Sequence, residues 1–182
     1  MLKLLLTFVF AISSAALAAT PNHCTIDEQV LFNCLVKGSK KIASVCGKIT
    51  LNKDNQGDQY IQYRFGLLGK IEFEYPKTRN KIDLTDKFRA DTQRASNSEF
   101  SDSNFAFQND GHIYEIWYRE ELLPKRKHSA SIATWKAGDR GVAGKTTTFI
   151  CTNTEYKEIE LNMYDIVRKF SSPNTEYWIP FQ

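Results

Sequence analysis

Short runs of alternating apolar and polar residues recur along the chain, and turn residues separate them. Alternation of this kind is typical of β-strands with one buried face. The paired runs are VLFNCLV with KIASVC, YIQYRF with KIEFEYP, NFAFQ with HIYEIWYRE, and SASIATWK with TTTFICT. Four hairpins with about eight strands predict an all-β fold, an antiparallel sandwich or barrel.

The second hairpin, residues 60–76, has one apolar face and one charged face. An odd number of loop residues aligns the two apolar faces, and a loop of five places Arg64 opposite Glu72. We expect the apolar face to build core and the charged face to be solvated. A catalytic pair made of Glu72 and Glu74 is the alternative, but carboxylates on one strand face do not flank a substrate bond.

The third hairpin contains Asp110–Gly111, a strong signal for a two-residue turn. This turn places Phe107 opposite Tyr114 on an apolar face. The other face carries Ile113 and Trp117 beside charged residues. Trp117 is therefore a candidate for partner contact, and the alternative is that another part of the chain covers it.

Two stretches lack strand alternation. The polar stretch 77–103 predicts a long surface loop, with a short helical turn near Leu84 and Phe88. Near the C-terminus, residues 154–170 have apolar side chains at helical spacing. They predict one amphipathic helix that covers a sheet edge or an open barrel end.

The first 19 residues have the layout of a secretory signal peptide. Lys3 precedes a short apolar run, and Ala16-Leu17-Ala18 offers a cleavage site. The run is too short to span a bilayer comfortably. We therefore expect residues 20–182 to form a single domain in a bacterial periplasm or outside the cell, with no membrane span.

The balance of charged residues bears on which kinds of partner the chain attracts. Lys plus Arg number 24 and Asp plus Glu number 21, so the charge is nearly balanced. Balanced charge indicates no general attraction to nucleic acid or to an anionic membrane. We expect no nucleic-acid partner.

The four cysteines all follow the predicted leader. An even number in an exported chain predicts two disulfides. Three pairings are possible, and we expect Cys34–Cys46 within the first hairpin and Cys24–Cys151 closing a long loop. The chain has no C-x-x-C and no cysteine–histidine cluster at zinc spacing, so no metal is expected.

No catalytic motif stands out. The stretch GDRGVAGKTT suggests a phosphate-binding loop, but Asp139 occupies the position of the required glycine. H-E-x-x-H and G-x-S-x-G are missing, and no cofactor is expected. The glycine-rich loop and the basic segment 122–128 are candidate recognition elements for an acidic partner. The candidate binding residues are Trp117, Lys125, Arg126, Lys127, Arg140 and Lys145.

The succession FNCLVKGSKKIASVC, YIQYRFG, GKIEFEYP and FICT resembles a group of small exported bacterial β-rich proteins of unassigned function. This resemblance implies a secreted or envelope β-protein and supplies no catalytic residue. Size, export and strand content are also similar to periplasmic inhibitors of c-type lysozyme. Their serine-glycine and threonine-lysine-glycine loops are not matched, because Gly144-Lys145-Thr146 has the letters in another order.

Together these features predict an exported, non-catalytic protein that binds or inhibits another protein. One alternative is a hydrolase of envelope or sugar substrates, with a site assembled from Glu72, Glu74 and His112. A second alternative is a structural envelope component. Reversing the charge of Arg140 or Lys145 would weaken a binder, whereas Glu72→Gln would abolish turnover by a hydrolase.

Overall fold

The computed structural model describes residues 20–48, 60–79, 88–94, 99–121, 127–139, 142 and 144–152. Within them, nine strands form two antiparallel sheets. The strands are β1 (Gln29–Leu35), β2 (Lys41–Lys48), β3 (Tyr60–Leu67), β4 (Lys70–Tyr75), β5 (Phe88–Arg94), β6 (Phe100–Asn109), β7 (His112–Glu121), β8 (Lys127–Lys136) and β9 (Thr147–Ile150).

Each sheet follows the order of the chain. Strands β1 to β4 form a four-stranded sheet, and β5 to β9 form a five-stranded sheet. The predicted antiparallel β fold and its four hairpins are confirmed. The predicted signal peptide, residues 1–19, and the predicted helix, residues 154–170, lie outside the described residues.

Strand β5 was not expected. The prediction of a surface loop over residues 77–103 was wrong for Phe88–Arg94, which pairs with β6 along its whole length, and for residues 100–103, which begin β6. Phe88 is not in a helical turn; it is buried and stacks on Phe105 with ring centroids 5.0 Å apart. The sequence FRADTQR has one large apolar residue, so the alternation that identifies the other strands is hidden.

The core lies between the two sheets and is rich in aromatic rings. Phe107 is at its centre and is fully buried. Its ring stacks on Tyr114 at 4.9 Å and on Tyr75 at 4.6 Å, and it lies 5.2 Å from Tyr63. Tyr63 and Tyr75 belong to the four-stranded sheet, so these contacts join the two layers. Each aromatic pair contributes about 1 kcal/mol beyond the burial of its area.

A short bridge also joins the sheets through their backbones. Val36, just after β1, pairs with Cys151, just after β9. The backbone N–H of Lys37 donates to the carbonyl of Ile150 at 2.8 Å. The first and last of the nine strands are therefore neighbours, and the spatial order is β4-β3-β2-β1-β9-β8-β7-β6-β5.

All four cysteines form disulfides, but not in the expected pairs. The structure pairs Cys24 with Cys46 and Cys34 with Cys151. Cys34 lies opposite Ala43 on the core face of the first hairpin. Cys46 is three residues beyond Ala43, so its side chain points to the other face. Two cysteines on opposite faces cannot bond, which is why the expected hairpin disulfide was wrong.

The β3–β4 hairpin also differs from its predicted register. Its turn has two residues rather than five, and Arg64 lies opposite Glu74 rather than Glu72. A β-bulge adds one unpaired residue to β4, and this shifts the register by one residue, which the two-residue turn alone would not do. As a result Phe65 lies opposite Phe73, and the aromatic faces of the two strands align as predicted.

Gly66 makes this bulge possible. A Cβ at this position would lie 2.4 Å from the carbonyl oxygen of Lys70 and 2.7 Å from the backbone nitrogen of Glu72. Both atoms belong to β4, so no side-chain rotation could relieve the overlap. The carbonyl of Gly66 also lies 3.2 Å from Nε2 of His23. Only glycine fits this close approach of two strands.

Candidate functional site

The outer face of the four-stranded sheet is covered by the N-terminal arm, which we define as residues 20–28. The Cys24–Cys46 disulfide attaches the arm to β2. The backbone N–H of His23 donates to Oγ of Ser44 at 3.1 Å. The prediction that the charged face is solvated was therefore wrong for Gln62 and Arg64, which are buried under a segment distant in sequence, whereas Glu72 is exposed as predicted.

Arg64 is buried beneath the arm. Its side chain is 1 % exposed, and its guanidinium donates to both carboxylate oxygens of Glu28 at 2.6 Å. It also donates to the carbonyl of His23 at 2.7 Å, to Gln62 at 2.6 Å and to Glu74 at 3.1 Å. A buried charge is stable only with such partners.

Glu28 is equally well satisfied. Burial by itself would raise its pKa, but hydrogen bonds from Arg64, Tyr60 and the backbone of Thr25 lower the pKa to about 2. The hydroxyl of Tyr60 donates to Glu28 at 2.6 Å. A general acid or base works best with a pKa near the operating pH. This network therefore fastens the arm to the sheet and is not built for proton transfer.

The same region contains a group of possible metal ligands. Cys24, Glu28 and Cys46 place one ligand atom each within 4.8 Å of one another. Both sulfurs belong to a disulfide, and Glu28 is bound to Arg64. A metal needs thiolates and a free carboxylate, so this group does not form a metal site.

Two connections lie at the same end of each sheet, because in an antiparallel meander every second connection is at the same end. In the four-stranded sheet they are the β1–β2 and β3–β4 turns, beside the pair Lys41 with Leu67; in the five-stranded sheet they are the β6–β7 and β8–β9 connections, beside the pair His112 with Lys136. We call this end of the five-stranded sheet the turn end; its described residues are 110–112, 136–139, 142 and 144–147.

A cleft opens at the turn end of the five-stranded sheet. Its volume is about 490 Å³. Strands β7, β8 and β9 and the loop between β8 and β9 surround it. The lining residues are His112, Tyr114, Thr134, Trp135, Lys136, Asp139, Lys145 and Thr147. The cleft thus presents aromatic rings, hydroxyls and charged groups side by side.

Among the described residues that line the cleft, positive groups outnumber negative ones. Lys145 donates to Asp139 at 2.9 Å, and its side chain is 55 % exposed. An exposed ion pair of this kind is worth less than about 1 kcal/mol, so another anion can displace Asp139. Lys136 is exposed on the paired strand opposite His112. Two lysines face one carboxylate, and the cleft is therefore suited to an anionic group.

His112 adds a further polar atom to the cleft. Its Nδ1 lies 3.1 Å from the backbone carbonyl of Asp110. A carbonyl only accepts, so Nδ1 carries the proton in this contact and Nε2 is the ring atom that a ligand can contact.

The residues that the sequence proposed as binding residues do not all meet. Lys145 lines the cleft. Trp117 lies on the outer face of the five-stranded sheet, where the guanidinium of Arg119 is 4.8 Å from its ring. Lys127 begins β8 opposite Glu121, at the other end of the strand from Lys136. The remaining candidates, Lys125, Arg126 and Arg140, lie outside the described residues.

The candidate hydrolase residues are also separated. Glu72 accepts from Lys41 at 2.6 Å, and Glu74 accepts from Arg64 at 3.1 Å. Both belong to the four-stranded sheet, whereas His112 begins β7 of the five-stranded sheet. Of these three residues only His112 lines the cleft.

Sequence reasoning did not identify Lys136, Thr134 and Thr147 as cleft residues. The register of β7 against β8 brings Lys136 opposite His112. The connection between these strands has no turn signature comparable to Asp110–Gly111. The sequence alone therefore gave no register for this pair.

Comparison with known proteins gives no indication of function, so we infer function from the geometry of the structure. No family model, curated protein or solved structure matches this chain. Separately, none of the described residues forms a helix of the length and hydropathy needed to cross a membrane.

Proposed function

We propose that this chain is an exported, non-catalytic binding protein that holds an anionic group of its partner in the cleft at the turn end. The supporting observation is the excess of positive groups among the described lining residues of the cleft, two lysines, Lys136 and Lys145, against the one carboxylate of Asp139. Tyr114 connects the cleft to the aromatic core through its stacking on Phe107. A rigid floor of this kind lowers the entropic cost of binding.

The chemistry favours a carboxylate or phosphate group on a larger partner. The exposed ammonium of Lys145 can exchange Asp139 for an incoming anion, because both groups are accessible to solvent. The hydroxyls of Thr134 and Thr147 are suitable additional donors. An acidic side chain on the surface of another protein fits this arrangement best, since one charged group and its neighbours fill a cleft of about 490 Å³.

The two disulfides support export. Disulfides persist in oxidising compartments and are rare in the cytosol. Both pairs join distant parts of this chain, with sequence separations of 22 and 117 residues. A periplasmic or secreted location is therefore part of the proposal. Neither a hydrolase nor a structural envelope component has a specific observation of its own in this structure.

A titration with an acidic probe tests the proposal. The mature chain would be titrated with an octaglutamate peptide while tryptophan emission is followed, because Trp135 lines the cleft. We expect a saturable change, with affinity about fivefold weaker in Lys145→Glu, since reversing one contact charge changes binding by about 1 kcal/mol. Lys48→Glu is the matched control, because Lys48 is exposed at the opposite end of β2; its affinity should be unchanged.

A partner search completes the test. The mature chain and its Lys145→Glu variant would be used to capture proteins from periplasmic and extracellular extracts, and each captured protein would be purified and titrated. A partner that binds both variants equally would overturn the role of the cleft. Hydrolysis of a wall or sugar substrate that disappears in Glu72→Gln would overturn the non-catalytic function itself.

A further inference from the structure

The tip of the β3–β4 hairpin exposes large apolar side chains. Leu67 is 38 % exposed, Leu68 is 63 % exposed and Ile71 is 44 % exposed. Single exposed leucines are ordinary on protein surfaces, but these three fall within five consecutive residues. We call Leu67, Leu68 and Ile71 the apolar tip.

The exposure of Ile71 follows from the hairpin geometry. Alternation assigns Ile71 to the core face together with Phe73, but Ile71 pairs with Gly66 beyond the bulge. The partner has no side chain, so it covers nothing. Leu68 occupies the turn itself, where a Cβ added to the neighbouring Gly69 would meet no atom within 4 Å. The apolar tip therefore protrudes into open surroundings.

Lysines flank the apolar tip. Lys70 belongs to the same hairpin, and Lys37 and Lys40 belong to the β1–β2 turn, which lies beside it because Lys41 pairs with Leu67. Lys37, Lys40 and Lys70 are exposed and form no ion pair with another described residue. The neighbouring Lys41, by contrast, forms an ion pair with an acidic residue of β4, which neutralises its charge. Three positive charges thus lie next to the exposed apolar side chains.

We propose that the apolar tip inserts into the headgroup region of an anionic lipid bilayer while Lys37, Lys40 and Lys70 bind the lipid phosphates. This attachment is peripheral and reversible. Apolar side chains gain by entering the acyl boundary, and lysines near the surface are attracted to anionic lipids. Lysine stems lie along apolar surface while their ammonium groups stay at headgroup level.

The shape favours a bilayer over a protein as the partner. A stable protein interface buries about 800 Å² on each side, usually around an anchor that fills a pocket. Three side chains on one protruding turn offer much less area. A bilayer presents hydrocarbon beneath a layer of phosphates, and this layering matches an apolar tip with lysines set behind it. The proposal does not depend on the cleft, which is lined by other residues.

Vesicle co-sedimentation tests the proposal. The mature chain would be mixed with vesicles of phosphatidylcholine alone and with vesicles containing one-third phosphatidylglycerol. We expect binding to the anionic vesicles and little to the neutral ones. Leu68→Ser should lower the partition coefficient about tenfold, because the leucine no longer enters the boundary. The triple variant Lys37→Gln, Lys40→Gln and Lys70→Gln should lower it about a hundredfold, at about fivefold for each lysine.

Ile26→Ser is the matched control. Ile26 is fully exposed, and it lies in the N-terminal arm just before β1, at the other end of this strand from the β1–β2 turn. Its removal should leave vesicle binding unchanged. Leu68→Ser should leave octaglutamate binding unchanged, so failure of this proposal is distinguishable from failure of the proposed function.

A second variant reports insertion directly, so the test still works if Leu68→Ser does not fold. In Leu68→Trp the new indole should gain emission and shift to the blue on addition of anionic vesicles, relative to the parent chain. Equal vesicle binding by the parent and Leu68→Ser, or equal binding to neutral and anionic vesicles, would overturn the proposal. Tip-dependent binding to an acidic protein without any vesicle binding would also overturn it, in favour of a protein partner.

Discussion

Replacing Glu28 with glutamine would remove the main anionic partner of a buried guanidinium. Glu28 and Arg64 are joined by two hydrogen bonds of 2.6 Å, and both side chains are almost completely buried. Breaking such a pair costs about 3–5 kcal/mol. Arg64 keeps Glu74 at 3.1 Å in the variant. We therefore expect Glu28→Gln to lower the free energy of unfolding by about 3 kcal/mol, the low end of that range.

The pKa of Glu28 leads to the same magnitude and adds a pH dependence. The pKa falls from 4.5 to about 2 on folding, which corresponds to roughly 3 kcal/mol. A folded-state pKa below the unfolded value means that the stabilisation is complete above pH 4.5 and is lost as the pH falls through about 2. The difference between the parent chain and Glu28→Gln should therefore be largest at neutral pH and shrink in acid.

Urea unfolding followed by circular dichroism measures both effects. At about pH 3 the difference between the two chains should be less than half of its neutral value. Glu72→Gln is the control, since Glu72 forms an exposed pair with Lys41 and should cost less than about 1 kcal/mol. A loss in Glu28→Gln no larger than this control, or a loss independent of pH, would refute the reasoning.

Two further changes test the fold. Gly66→Ala should lower the free energy of unfolding by about 3 kcal/mol, because a Cβ there overlaps two backbone atoms of β4; an unchanged urea midpoint would contradict the close approach. The double variant Cys34→Ala, Cys151→Ala should be less stable than Cys24→Ala, Cys46→Ala. The loops are 117 and 22 residues long, and the chain-entropy model gives a difference of about 1.5 kcal/mol. Equal midpoints for the two double variants would argue against that model here.

The sequence predicts the parts of the fold that depend on neighbours in the chain. Asp110–Gly111 sets the register of β6 against β7, and Phe107 lies opposite Tyr114 as predicted. The four hairpins were all recognised, because each has alternation on both sides of a connection that contains turn residues. Strand β5 was missed because its face carries few apolar residues.

Features that depend on distant segments were beyond sequence reasoning. Arg64 lies on the face that alternation assigns to solvent, and its main partner, Glu28, is 36 residues away. The disulfides depend on which face each cysteine occupies and on which segment lies above that face. The cleft depends on the pairing of β7 with β8, which brings together His112 and Lys136. None of these relations leaves a periodic signal in the chain.

The bridge between Val36 and Cys151 sets an order of events as the chain folds from its N-terminal end. Seven of the eight steps between neighbouring strands in space join strands that are also consecutive in sequence, so each can form without waiting for the rest of the chain. The joint between β1 and β9 must wait until residue 151 is present. Until then the edge of β1 and the aromatic interior are open to other chains, and this interval is when a nascent molecule most needs protection from aggregation.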